Sequence, residues 1–94
     1  MRKTWLIFVA RTKASQTRLT GAQLRAARGL LNMSAETLAA ETKLSLKTIR
    51  RAEQVDDEVP ITAANAERII SILEARGVIF VAEGRDRVGI LLKR

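Results

Sequence analysis

Apolar residues return every three to four positions through the middle of the chain, and the period shortens near its end. Thr20-Gly-Ala-Gln23 fits a capping box, and Leu24, Ala27 and Leu31 follow at helical spacing, so a first helix is predicted from Thr20. Ser34 is an N-cap residue type and opens a second helix that carries Leu38 and Ala39 inward. Ser45 opens a third, with Ile49 and Ala52 inward. A fourth begins near Thr62, two residues after the single proline, buries Ala66, Ile69, Ile70 and Leu73, and stops at Gly77. Two short β-type runs close the chain, Val78-Ile-Phe-Val-Ala82 and Val88-Gly-Ile-Leu-Leu92. The turn formers Glu-Gly-Arg-Asp-Arg lie between them, which predicts a β-hairpin.

The beginning of the chain follows neither helical pattern. Thr4-Trp-Leu-Ile-Phe-Val-Ala10 is a short apolar run flanked by bases, and its β-branched and aromatic content favours a strand. Seven residues are far short of the roughly 20 that cross a bilayer. Residues 11–19 read as a polar linker. Residues 1–18 admit three readings: a basic arm reaching a groove or phosphates, a strand in a dimer sheet, or a segment that is disordered or absent from the working protein. The expected division is therefore an arm at 1–19, a helical domain at 20–76 and a hairpin at 77–94.

Composition narrows the chemistry. The 94 residues contain no cysteine and no histidine, which removes disulfides, thiol and imidazole metal sites, and Ser-His or Cys-His catalysis. No carboxylate pair or Gly-rich phosphate loop stands out, so no enzyme, metal, cofactor or small-molecule substrate is expected. Trp5, Phe8 and Phe80 are the only aromatics, too few for base stacking along a single strand. The net charge of +7 points to a polyanionic partner. It is uneven: residues 54–77 carry two bases against five acids, so one part of the surface is much less basic.

Residues 35–54 hold the most information. Only Thr42-Lys43-Leu44 separates the second and third helices, too short a gap for antiparallel packing, so the two must cross steeply. Ala39 is small enough for the backbones to approach. Leu38, Leu44, Ile49 and Ala52 supply the apolar side of the third helix's seat. Leu46, Lys47, Arg50 and Arg51 then face outward, with Thr48 beside them. Arg25, Arg68 and Arg76 read as solvated charge, Asp56-Asp57-Glu58 as a solvated loop, and Met33 as core or junction filler.

Residues 20–76 resemble the Cro/repressor-type (XRE) helix-turn-helix family. The matching pieces are Leu24-Arg25-Ala-Ala-Arg28, Ser34-Ala-Glu-Thr-Leu38-Ala39 and Leu44-Ser45-Leu-Lys-Thr48-Ile49-Arg-Arg-Ala-Glu53. The resemblance implies a mainly α, lambda-repressor-like four-helix domain, here followed by the hairpin. It implies an ion pair between Arg28 and Glu53. The third helix becomes the recognition helix in the major groove of double-stranded DNA. Lys47 and Arg51 are then the base readers, with Leu46 against a thymine methyl. Arg50, Ser34, Ser45 and Thr48 are the phosphate contacts. Family members usually dimerise on a pseudo-palindromic operator, and Val78, Phe80, Val88, Ile90 and Leu92 of the hairpin are the expected dimer contacts. The chain departs from the family pattern where a turn glycine is Lys43, a glutamine is Ala35 and a later glycine is Val55.

The implied function is a small homodimeric transcriptional regulator, cytoplasmic and of bacterial or phage type, that repressed or activated genes including its own. A second reading is a protein-interaction module of antitoxin or anti-activator type, motivated by the apolar terminal strands. A third, a membrane-surface role for residues 1–13, is weaker because a seven-residue run buries little.

Overall fold

The computed structural model describes residues 18–84 and 87–93. The apolar run 4–10 and the readings attached to residues 1–17 lie outside them. Four helices and one hairpin follow in order: α1 (Gly21–Leu31), α2 (Ala35–Thr42), α3 (Leu46–Glu53), α4 (Ala63–Ala75), β1 (Val78–Glu83) and β2 (Arg87–Leu92).

Every helix starts where a hydroxyl side chain is ready to cap it. Thr20, Ser34, Ser45 and Thr62 each accept the backbone N–H three residues on, from Gln23, Thr37, Thr48 and Asn65. Thr20 and Gln23 form the full capping box. Gln23 does more than the motif requires. Its Nε2 donates to the Gly89 carbonyl at 3.1 Å, tying the start of α1 to β2.

The helix ends use left-handed backbone without glycine in two places. Asn32 caps α1 at φ 56° and Lys43 caps α2 at φ 61°. Lys43 thus takes the conformation expected of a glycine, at a cost of about 1 kcal/mol. Thr42 belongs to α2, so the turn into α3 is Lys43-Leu44-Ser45, one residue later than the sequence pattern places it. Gly77, at φ 99°, carries α4 into β1 under the Lys93 carbonyl.

The core is one cluster. Leu24, Ala27, Leu38, Ile49, Ala52, Ile69 and Leu73 have no exposed surface, and Val78 and Phe80 of β1 join them. Leu19 is also buried, at 2% exposed, so the linker expected over 11–19 does not reach it. The backbone around Leu19 is tied to the loop after α3. Val59 N–H donates to the Leu19 carbonyl, and Gly21 N–H donates to the Asp57 carbonyl. The acidic loop therefore exposes its side chains while its backbone closes the domain.

β1 and β2 pair antiparallel, Val78 opposite Leu92 and Phe80 opposite Ile90. Opposed residues share a face. One face, Val78, Phe80, Ile90 and Leu92, packs on the helices. The other carries Ile79, Val81 and Leu91, with Gly89 opposite Val81.

Candidate nucleic-acid interface

α3 is eight residues long and is held from one side and one end. Ile49 and Ala52 are fully buried against α1 and α2. At the C-terminal end, Arg28 of α1 forks onto Glu53: Nε to Oε2 at 2.6 Å and Nη2 to Oε1 at 2.7 Å. Its Nη1 donates to the Met33 carbonyl at 2.8 Å, so the same guanidinium also fixes the chain between α1 and α2. The hydrogen bond to Glu53 holds the Arg28 pKa above its ordinary value, against desolvation, with the Glu53 and Glu36 charges adding to it. Arg28 therefore stays charged at any pH the fold meets, and the brace does not titrate away from its side.

Arg25, expected to be solvated charge, is a second clamp. Its Nη1 donates to the Glu53 and Val55 carbonyls, and its Nη2 pairs with Asp56 at 2.7 Å. It thus satisfies the Glu53 carbonyl at the end of α3 and the Val55 carbonyl in the loop just beyond it. Gly21 packs so close to the same end that an added Cβ would stand 1.9 Å from the Val55 carbonyl oxygen. Arg68 and Arg76, also read as solvated, are partnered too: Arg68 donates to the Thr42 carbonyl and Arg76 pairs with Glu41.

The remaining side of α3 is free. Lys47, Arg50 and Arg51 are exposed, and among the described residues the side chains of Lys47 and Arg51 make no hydrogen bond or ion pair. Arg50 reaches across to Glu36 in the first turn of α2, at 3.3 Å, with both side chains more than half exposed. Such a pair contributes about 0–1 kcal/mol. Leu46 departs from expectation: it is half-buried and packs on the core, so it does not project freely with the cations.

The serines expected on phosphate are first of all caps. Ser34 Oγ accepts Thr37 N–H and donates to Thr37 Oγ1 at 2.9 Å. Ser45 Oγ accepts Thr48 N–H and shares a hydrogen bond with Thr48 Oγ1, also 2.9 Å. The outward polar edge at α2 therefore includes Thr37, an exposed residue absent from the sequence-based set. The Ser-x-x-Thr spacing, repeated at 34–37 and 45–48, is the signal that finds it.

The hairpin corrects the expected dimer contacts. Val78 and Phe80 are buried in the chain's own core at 2% and 6% exposed, so they offer no side-chain surface to a second copy. Ile90 and Leu92 share that inward face and pack on the same core. Val88 lies beyond the core on the same face and is 45% exposed. The apolar surface left over is Ile79, Val81 and Leu91 on the outer face, Leu91 being 48% exposed.

Among the described residues no helix is long and apolar enough to cross a membrane, and no group of carboxylates is placed to hold a metal ion. No protein-family model matches the chain, and neither does any curated protein.

Proposed function

We propose that this protein is a sequence-specific DNA-binding regulator of transcription with a lambda-repressor-like helix-turn-helix domain, acting as a homodimer on a pseudo-palindromic operator in the cytoplasm. The observation that carries this reading is the division of α3 into a braced end and an outward side of exposed cations, two of them unpartnered among the described residues. A short, rigidly seated helix with free cations on one side suits the major groove, where bidentate Arg on guanine is the commonest base contact. Arg51 and Lys47, one turn apart, read bases. Arg50 and the hydroxyls of Thr37 and Thr48 meet phosphates. The reading needs no catalytic group, metal or cofactor.

One such helix reads too little DNA for useful selectivity, so the proposal includes a second copy. Its contact surface is the outer face of the hairpin, Ile79, Val81 and Leu91. Leu91→Asp should give a folded protein that sediments as a monomer and loses operator affinity. A monomeric wild type, or a Leu91→Asp dimer, overturns that surface.

The direct test is fluorescence anisotropy against the chain's own upstream DNA, a duplex selected from a random pool, and an unselected duplex, at several salt concentrations. Specific binding should exceed non-specific binding by about a thousandfold or more, and Arg51→Ala should abolish most of that ratio. Equal affinity for every duplex after selection overturns the reading and moves the protein-interaction module ahead.

A further inference from the structure

The outward side of α3 offers a narrow set of chemistries. Its exposed residues are Lys47, Arg50 and Arg51, with Gln54 at the C-cap. The one carboxylate of the helix, Glu53, is turned onto the Arg28 fork. The hydroxyls at its start are spent on each other, Ser45 Oγ lying 2.9 Å from Thr48 Oγ1. Leu46 packs against the core. Base edges in the major groove are read by an amide on adenine, a carboxylate on cytosine N4, or a cation on guanine O6 and N7. Of these the free side of α3 presents cations, and one amide at its far end.

That far end is unsuited to a polyanion. Asp56, Asp57 and Glu58 follow it in the loop, all exposed. Arg25 and Arg28 offset Asp56 and Glu53, which leaves Asp57 and Glu58 to repel phosphate beside Gln54. The opposite end carries Lys43 and Lys47 and the positive pole of the helix dipole. Helical side chains lean toward the N-terminus, which carries the Arg51 guanidinium away from the acidic end and toward Lys47. Arg50 lies to the side, 3.3 Å from Glu36, and is left to the phosphates.

Lys47 and Arg51 are four residues apart, about 6 Å along the helix axis, against about 3.4 Å per base step. Resting on the DNA-binding reading above, we propose that each copy of this protein recognises two G·C pairs one or two base steps apart, Arg51 on one guanine and Lys47 on the other, and that α3 reads no adenine. The two positions differ in strictness. The Arg51 fork matches O6 and N7 together, a pair of acceptors that only guanine presents. The Lys47 ammonium is a point charge and also accepts thymine O4. The first position therefore takes guanine alone, and the second takes guanine before thymine.

The experiment enriches duplexes from a random pool with the wild-type chain. It then replaces the enriched guanines one at a time by the deaza analogue, which lacks N7 but keeps O6 and the base pair. The enriched set should hold two G·C pairs no more than two steps apart. Exchanging the stricter pair for A·T should weaken binding about five- to hundredfold. The deaza analogue there should weaken wild type about tenfold and leave Arg51→Ala unaffected. At the other position it should leave Lys47→Ala unaffected. The base changes read both contacts in the wild-type chain, whether or not a variant folds. An enriched motif without that pair, or deaza effects that persist in both variants, overturns the guanine proposal and leaves DNA binding standing. So does an Arg51→Ala that weakens every duplex alike and lowers the log–log salt slope by about 0.9, the mark of a phosphate contact. A pool that shows no enrichment overturns the DNA-binding reading itself.

Discussion

Arg28 and Arg51 are the same side chain put to opposite uses at one small helix. Arg28 enters from α1 and spends its guanidinium on both Glu53 oxygens and the Met33 carbonyl. Arg51 sits on α3 itself, exposed and without a partner among the described residues. Basicity alone does not set the role of an arginine; the supply of acceptors around it does. The braced end of α3 carries stability, and its outward side is free to carry recognition.

That comparison breaks if the two ends trade roles, and Gly21→Ala tests it hardest. Its methyl would meet the Val55 and Ala52 carbonyl oxygens, which are backbone and cannot swing away. We expect a loss of about 3 kcal/mol in denaturant unfolding. A neutral outcome would mean that α1 and the end of α3 pack less tightly than the geometry requires.

Next comes Arg28→Ala, which leaves the Glu53 carboxylate largely buried, at 12% side-chain exposure, without its fork. Urea titration should show about 2–4 kcal/mol lost, somewhat below the full cost of an orphaned charge because Arg28 itself is partly solvated. Lys43→Gly should move the other way. Removing the Cβ at φ 61° gains about 1 kcal/mol, less the greater freedom glycine has in the unfolded chain. A rise in melting temperature with DNA affinity unchanged would place Lys43 outside the interface.

The smallest effect on stability is expected at the proposed base readers. Lys47→Ala and Arg51→Ala should stay within about 0.5 kcal/mol of wild-type stability, because neither side chain holds anything. If Arg51→Ala unfolds the protein as Arg28→Ala does, the division of α3 into two roles is wrong.

The hairpin shows where reading along the chain stops. Its two runs and the turn between them are legible from β-type residues and turn formers. Alternation also shows that the strand has two faces, but both are apolar here: Val78 and Phe80 on one, Ile79 and Val81 on the other. Nothing in the residue types says which face meets the helices. Gln23 donating to the Gly89 carbonyl and the helix cluster under Phe80 decide it, and both are contacts between distant parts of the chain. Val78 and Phe80, expected at the dimer contact, therefore turn inward instead. Leu46 failed similarly, since helical spacing puts it beside Lys47 and only the packed neighbours show it turned toward the core.

The features legible along the chain are local: four helix starts, a three-residue turn, a glycine-led passage into a hairpin and the cations of α3. A cap reaches three residues and a helical face repeats within one turn, so these features depend on neighbours in the chain. The Arg28–Glu53 brace was legible too, but only through resemblance to a family, not through spacing. The tertiary structure alone decided that Arg25, Arg68 and Arg76 are clamps, that Leu19 is core, that Glu36 stands beside Arg50 and which hairpin face remains open. Each of these depends on an acceptor or an apolar surface brought from elsewhere in the chain, and folding, not proximity in sequence, supplies it.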